Sequence, residues 1–127
     1  MRKAKVFYGP PGGGKTFKAK ELAKGRNTIT HGFNQIDDHF LYLEPETQVL
    51  IIEEVPLTRL EDLIPLIKSK TMQVNKRGKE PFHIDTPEIL ITTQADGDQV
   101  ARLKYSKLGK RFEFIRCCYK DEIEMPF

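Results

Sequence analysis

Long apolar runs are missing from this chain. No stretch approaches the roughly 18 residues that a membrane-spanning helix needs, so no span is expected. The opening residues, MRKAKVFYGP, carry basic side chains but no apolar core segment, and the sequence predicts no signal peptide. Cysteine is scarce: Cys117 and Cys118 are the only two, and they are neighbours. Adjacent cysteines rarely bond to each other, and two thiols are too few for a disulfide framework or a metal cluster. They read as partly buried thiols on a strand. The expected compartment is therefore reducing: the cytoplasm, or a host-cell interior if the source is viral or plasmid-borne. Repeats and low-complexity linkers are also lacking. At 127 residues, the sequence predicts a single domain over residues 1–127. Such a chain buries roughly two thirds of its unfolded surface, enough for one sheet and a few helices but not for a second large catalytic domain. With 39% hydrophobic and 31% charged residues, the composition is that of a soluble globular protein. The net charge of +3 permits nucleic-acid binding without demanding it.

What is present alternates strand-like with helix-like segments. Lys5 to Tyr8 reads as a strand entering a Gly-rich loop, and Lys15 to Lys24 as a helix that runs until Gly25. Thr28 to Thr30 is a short β-branched strand, and a short helix is expected between Phe33 and Pro45. Val49 to Ile52 is wholly apolar, as a buried parallel strand should be. Leu57 to Lys70 places leucines and isoleucines at helical spacing and predicts an amphipathic helix. Met72 to Val74 and Phe82 to Ile84 flank the polar tip NKRGKEP as a β-hairpin. Ile89 to Thr93 is another buried strand, Asp98 to Lys107 a helix, Phe112 to Tyr119 a last strand, and DEIEMPF a frayed tail. This alternation predicts an α/β class with a mainly parallel sheet.

One short stretch carries specific chemistry. Gly9-Pro10-Pro11-Gly12-Gly13-Gly14-Lys15-Thr16 fits G-x-x-x-x-G-K-[ST] without a mismatch. Glycines let backbone N–H groups turn toward phosphate oxygens without a Cβ clash. The helix that follows adds the positive end of its dipole. Lys15 is expected at the β- and γ-phosphates of ATP, and the Thr16 hydroxyl on Mg²⁺. The alternative, a merely flexible Gly-rich turn, does not require strand, loop and helix in this order.

Directly after VLII come Glu53 and Glu54. One carboxylate there can hold Mg²⁺ through water and a second can polarise an attacking water. Glu53 is assigned to the metal and Glu54 to the general base. A second carboxylate tilts the chemistry toward hydrolysis, since a small-molecule kinase acts mostly by positioning its acceptor. Gln94, at the tip of ILITTQ, either reaches the γ-phosphate or lytic water or is an ordinary strand-ending polar residue. Arg111, in KLGKRFEFI, is either a surface arginine or a finger that stabilises charge on a neighbouring subunit's phosphate, with Arg102 as runner-up. The hairpin tip holds Lys76, Arg77 and Lys79, which are either a solvated face or a phosphate-backbone contact.

Taken in order, GPPGGGKT, VLIIEE, NKRGKEP and PEILITTQ resemble the ATPase core of superfamily 3 helicases, as found in replication initiators of small circular single-stranded DNA viruses and plasmids. The resemblance spans roughly Val6 to Tyr119. The family's last strand motif ends in Asn, where this chain has the longer Gln94. The resemblance implies a P-loop NTPase (AAA+-like) core with a five-stranded sheet, flanking helices and a hairpin insertion. It also implies ATP and Mg²⁺ as cofactors and a homo-oligomeric ring around single-stranded DNA. In that ring Lys76, Arg77 and Lys79 meet DNA and Arg111 serves the neighbour's ATP. The nicking domain of such initiators carries a His-hydrophobic-His site, which His31, His39 and His83 do not form, so no nicking is expected. The chain also leaves little room for the extra helices that build the family's oligomer.

Three readings follow. The first is a DNA-dependent ATPase, a minimal replicative helicase core. The second is a small nucleoside or nucleotide kinase, against which stands the lack of an arginine-rich lid. The third is a non-hydrolysing nucleotide switch or adaptor in a replication complex.

Overall fold

Parallel strands need long crossovers, and the spacing of apolar runs in this chain supplies them. The computed structural model describes residues 3–33, 43–76 and 78–117. Its strands are β1 (Ala4–Gly9), β2 (Thr28–Gly32), β3 (Val49–Glu53), β4 (Thr71–Val74), β5 (Phe82–Asp85), β6 (Glu88–Gln94) and β7 (Phe112–Arg116). Helices α1 (Lys15–Leu22), α2 (Ile64–Lys68) and α3 (Gly97–Lys104) lie between them, with 3₁₀ segments at Leu57–Leu63 and Lys107–Lys110. Five strands form one sheet in the order β2-β3-β6-β1-β7, and every pairing in it is parallel. Strands β4 and β5 form a separate antiparallel pair. The expected α/β class and five-stranded parallel sheet are therefore present, with flanking helices, and this layout is consistent with a P-loop-like core.

Alternation along the central strands fills two cores, one on each face. Phe7, Val49, Ile51 and Leu90 meet Ala19 and Ala23, so α1 covers one face. Val6, Leu50, Ile52, Ile89 and Ile91 point the other way, onto Leu60, Leu63 and Ile67 and onto Met72, Val74 and Ile84 of the hairpin. This double cover explains why β3 is apolar at consecutive positions.

Three expected helices change length. The helix over Leu57 to Lys70 is a 3₁₀ segment followed by the short α2. Pro65 has no N–H to continue the ladder, and it sits instead in the first turn of a new helix. The apolar face is kept, since Leu60, Leu63 and Ile67 are all buried. Helix α1 ends at Leu22, short of Lys24. The helix over Asp98 to Lys107 begins one residue earlier and ends at Lys104, and a 3₁₀ turn follows. Its start is fixed by a reciprocal cap. Asp96 Oδ1 accepts from the Gln99 N–H at 2.8 Å, while the Gln99 side chain accepts from the Asp96 N–H at 3.0 Å. Strand β7 stops at Arg116. Cys117 is buried beyond it, while Cys118, Tyr119 and the tail lie outside the described residues. So do Arg77 and most of the span expected to hold a short helix after Phe33.

Leu90 is fully buried at the centre of the sheet. Leu90→Ala should destabilise the fold by about 2–5 kcal/mol, measured by urea unfolding. A loss under about 1 kcal/mol would mean that the α1 face is not close-packed.

Candidate functional site

Because the five strands are parallel, their carboxyl ends meet at one edge of the sheet. Gly9 of β1 is in register with Gln94 of β6, and Ile52 of β3 with Ile91. The Gly-rich loop, the acid pair and Gln94 thus leave the sheet side by side. They line one cleft of about 580 Å³, which includes Gly12, Gly13, Gly14, Lys15, Thr16, Glu53, Glu54, Thr92, Thr93 and Gln94. That volume lies within the roughly 300–1,000 Å³ of small-molecule sites.

The loop is held from below by β7. The Cys117 N–H donates to the Tyr8 carbonyl at 2.7 Å. A Cβ built on Gly9 would lie 2.0 Å from the Cys117 carbonyl oxygen, so only glycine fits there. Gly14, with φ 84°, turns the chain into α1. The first turn of α1 has neither a side-chain cap nor an acid, in contrast to the capped start of α3. Gly14 to Phe17 line the cleft, and an uncapped helix start of this kind favours an anion. The Lys15 ammonium donates to the Gly9 and Pro10 carbonyls at 3.1 and 3.2 Å, which keeps the cation at the loop.

Opposite stands Glu54, whose φ of 57° is the left-handed value of a non-glycine residue. This conformation costs roughly 1–2 kcal/mol. Strand β6 holds it there. The Glu54 N–H donates to Thr92 Oγ1 at 3.0 Å, the Val55 N–H to the Thr92 carbonyl at 3.0 Å, and Thr93 Oγ1 to the Val55 carbonyl at 2.6 Å. The clamp makes the chain turn sharply after Glu53, leaving Glu53 half-buried and Glu54 exposed on the cleft. With β6 between β1 and β3, two inter-strand spacings set the acids roughly 10 Å from the loop strand. Gln94 stands in that gap. The oxygen donors present, Thr16 and the two carboxylates, suit a hard cation such as Mg²⁺. Among the described residues no cluster of three or more His, Cys, Asp or Glu forms a self-sufficient metal cage.

Other sequence candidates lie elsewhere. Arg111 follows the 3₁₀ turn at the start of β7, where Phe112 pairs with Ala4, so it is at the opposite sheet edge from its own loop. It lines a groove with Glu61, Asp62 and Lys107. Arg102 is exposed on the last turn of α3. No described hairpin residue lines the cleft, although the tip lies between its motifs in sequence. Lys76 pairs with Glu44 on the segment leading into β3, and only 16% of its side chain is exposed. The hydrogen bond from Lys76, helped by the charges of Lys76 and Lys79 and opposed by burial, holds the Glu44 carboxyl below its usual range. Lys79 is exposed.

Two cleft residues escaped the sequence reading. Phe17, 69% exposed, stands on the rim beside Thr16. Arg116 is in register with Tyr8 at the carboxyl end of β7 and lines a second cleft of about 680 Å³ with Gly9, Pro10, Gln94 and Asp96. Its signal was in the sequence: FEFIR ends a parallel strand, and such an end faces the loop.

No family model and no curated protein matches the chain. Among solved structures, it is similar to an apo form of the C-terminal region of NrS-1, with a TM-score of 0.61 and 16% identity, covering 98% of this chain and 31% of that one. A second structure of the same region gives a TM-score of 0.61 and 19% identity, covering 98% and 30%. The chain thus spans less than a third of these neighbours. At such identity the likeness establishes the fold.

Glu54→Gly should relieve the backbone cost and raise stability by up to about 1 kcal/mol, read as a higher urea midpoint. A lower midpoint would mean that the carboxylate itself stabilises the fold. Lys76→Ala should remove the ion pair with Glu44. A carboxyl whose folded pKa is lowered adds stability above its unfolded pKa and loses it as pH falls through the folded value. The wild type should therefore exceed Lys76→Ala at neutral pH and converge with it below the carboxylate range, as followed by melting at stepped pH.

Proposed function

We propose that the chain is an ATP-binding and hydrolysing, DNA-dependent ATPase, a minimal core resembling superfamily 3 replicative helicases. The observation that carries this reading is the placement of β6. It puts Gln94 between a cationic Gly-rich loop and a strained carboxylate, with a gap wide enough for a terminal phosphate and a water. Lys15 and the open first turn of α1 would bind the β- and γ-phosphates. Thr16 and Glu53 would hold Mg²⁺, which when bound neutralises charge on the phosphate oxygens. Glu54 would take the proton from water as the γ-phosphate leaves, and Gln94 would orient that water. Arg111, remote from its own loop, would act only in a neighbour's cleft within a homo-oligomer. Lys76, Arg77 and Lys79 of the hairpin would meet single-stranded DNA. In the cell the protein would act in the cytoplasm or host interior, in replication of a mobile element.

The test is steady-state ATP turnover with and without single-stranded DNA. Lys15→Ala should lose nucleotide binding. Glu54→Gln should bind ATP while turnover falls about 10²–10⁴-fold. Unchanged turnover in Glu54→Gln would remove the general base. Transfer of phosphate to a nucleoside, or tight binding without turnover, would replace the hydrolase reading with a kinase or a switch.

A further inference from the structure

The ten-residue stretch with the most cations is not on the hairpin. Residues 102–111 hold Arg102, Lys104, Lys107, Lys110 and Arg111 and no acid, while the whole chain carries only +3. The rest of the sequence is therefore net acidic. In the fold these residues form one corner, where α3 ends and the 3₁₀ turn begins. The corner is a built turn. Ser106 Oγ donates to the Leu103 carbonyl at 2.6 Å and accepts from the Leu108 N–H at 3.1 Å, and the Gly109 N–H donates to the Ser106 carbonyl at 3.0 Å. Arg102, Lys104, Lys107 and Lys110 are all exposed and make no ion pair among the described residues. Between them Tyr105 is 93% exposed. It stands three residues after Arg102, which on a helical turn makes the two side chains neighbours.

The helix dipole accounts for cations in the last turn of α3, but not for Lys107, Lys110 or the bare ring. Glu61 and Asp62 line one groove with Lys107 and Lys110, and Asp62 is already paired with Arg59. On the hairpin, by contrast, Lys76 pairs with Glu44 and Glu80 adjoins Lys79. Cations tracking a phosphate backbone and an aromatic ring offered for stacking are the two elements of single-strand recognition. A duplex presents no unpaired base to such a ring.

We propose that the α3–3₁₀ corner, through Arg102, Lys104, Tyr105, Lys107 and Lys110, binds single-stranded DNA by backbone charge and base stacking. The choice of DNA rests on the function proposed above, whereas the surface stands on its own charge and exposure.

The test is fluorescence anisotropy of a labelled thymidine oligonucleotide over a salt series. Lys104→Ala/Lys107→Ala/Lys110→Ala should lower the slope of log affinity against log salt by about 2, near 0.7 per cation lost. Tyr105→Ala should weaken binding about tenfold or more with the slope unchanged, and Tyr105→Phe should restore it. Nucleotide binding should be retained in these variants, which separates loss of the surface from loss of the fold. DNA binding by a wild type that does not turn over ATP would keep this proposal and sink the ATPase reading. Four results would overturn it: no binding by the wild type, unchanged affinity and slope in the variants, tighter binding of a duplex or a uridine oligonucleotide, or a changed oligomeric mass at unchanged affinity.

Discussion

The insertion of β6 between β1 and β3 is the constraint on which the rest of the site depends. Its two parallel ladders bring Gln94 level with Gly9 and carry Ile91 beside Ile52. Its last threonines then reach past the end of β3 to hold Glu54 and Val55. One strand therefore sets the width of the cleft, the turn of the acid pair and the position of the amide between them. Hydrogen bonds of this kind add only about 1 kcal/mol each to stability. Their larger effect is geometric, since together they hold a conformation that Glu54 would not adopt alone.

That strain is concentrated at one place. Among the described residues Glu54 is the only non-glycine with a positive φ. The opposite wall is tight for a different reason, the contact of Gly9 with the carbonyl of Cys117. Both walls are thus fixed by backbone, and Lys15, Thr16, Glu53, Glu54 and Gln94 line the cleft between them. Strain held by surrounding structure is a mark of sites where geometry has been favoured over local stability.

Three groups of cations differ in what surrounds them. Lys15 is bound by the loop's own carbonyls, Lys76 is matched by Glu44, and Arg102, Lys104, Lys107 and Lys110 are in no ion pair among the described residues. A small net charge thus conceals an uneven distribution. The function proposed for the cleft and the surface proposed for the corner draw on different groups, so each can fail separately.

Much of this was legible in the sequence. Consecutive apolar residues in VLII and ILI marked strands covered on both faces, and the glycine pattern before Lys15 marked the turn into α1, because these follow from local sterics and periodicity. The acid pair after VLII was legible for the same reason. The helix over Leu57 to Lys70 was misjudged in length because Pro65 lacks an N–H, a local fact outweighed by the apolar spacing. Other features are tertiary. Glu54 in the left-handed region depends on Thr92 and Thr93, distant in sequence. The partner of Lys76, the position of Arg111 at the far end of β7, and Arg116 beside the loop depend on strand order. The sequence alone determined which residues could do chemistry. Strand order and register decided which of them stand together, because parallel pairing joins segments that no local rule connects.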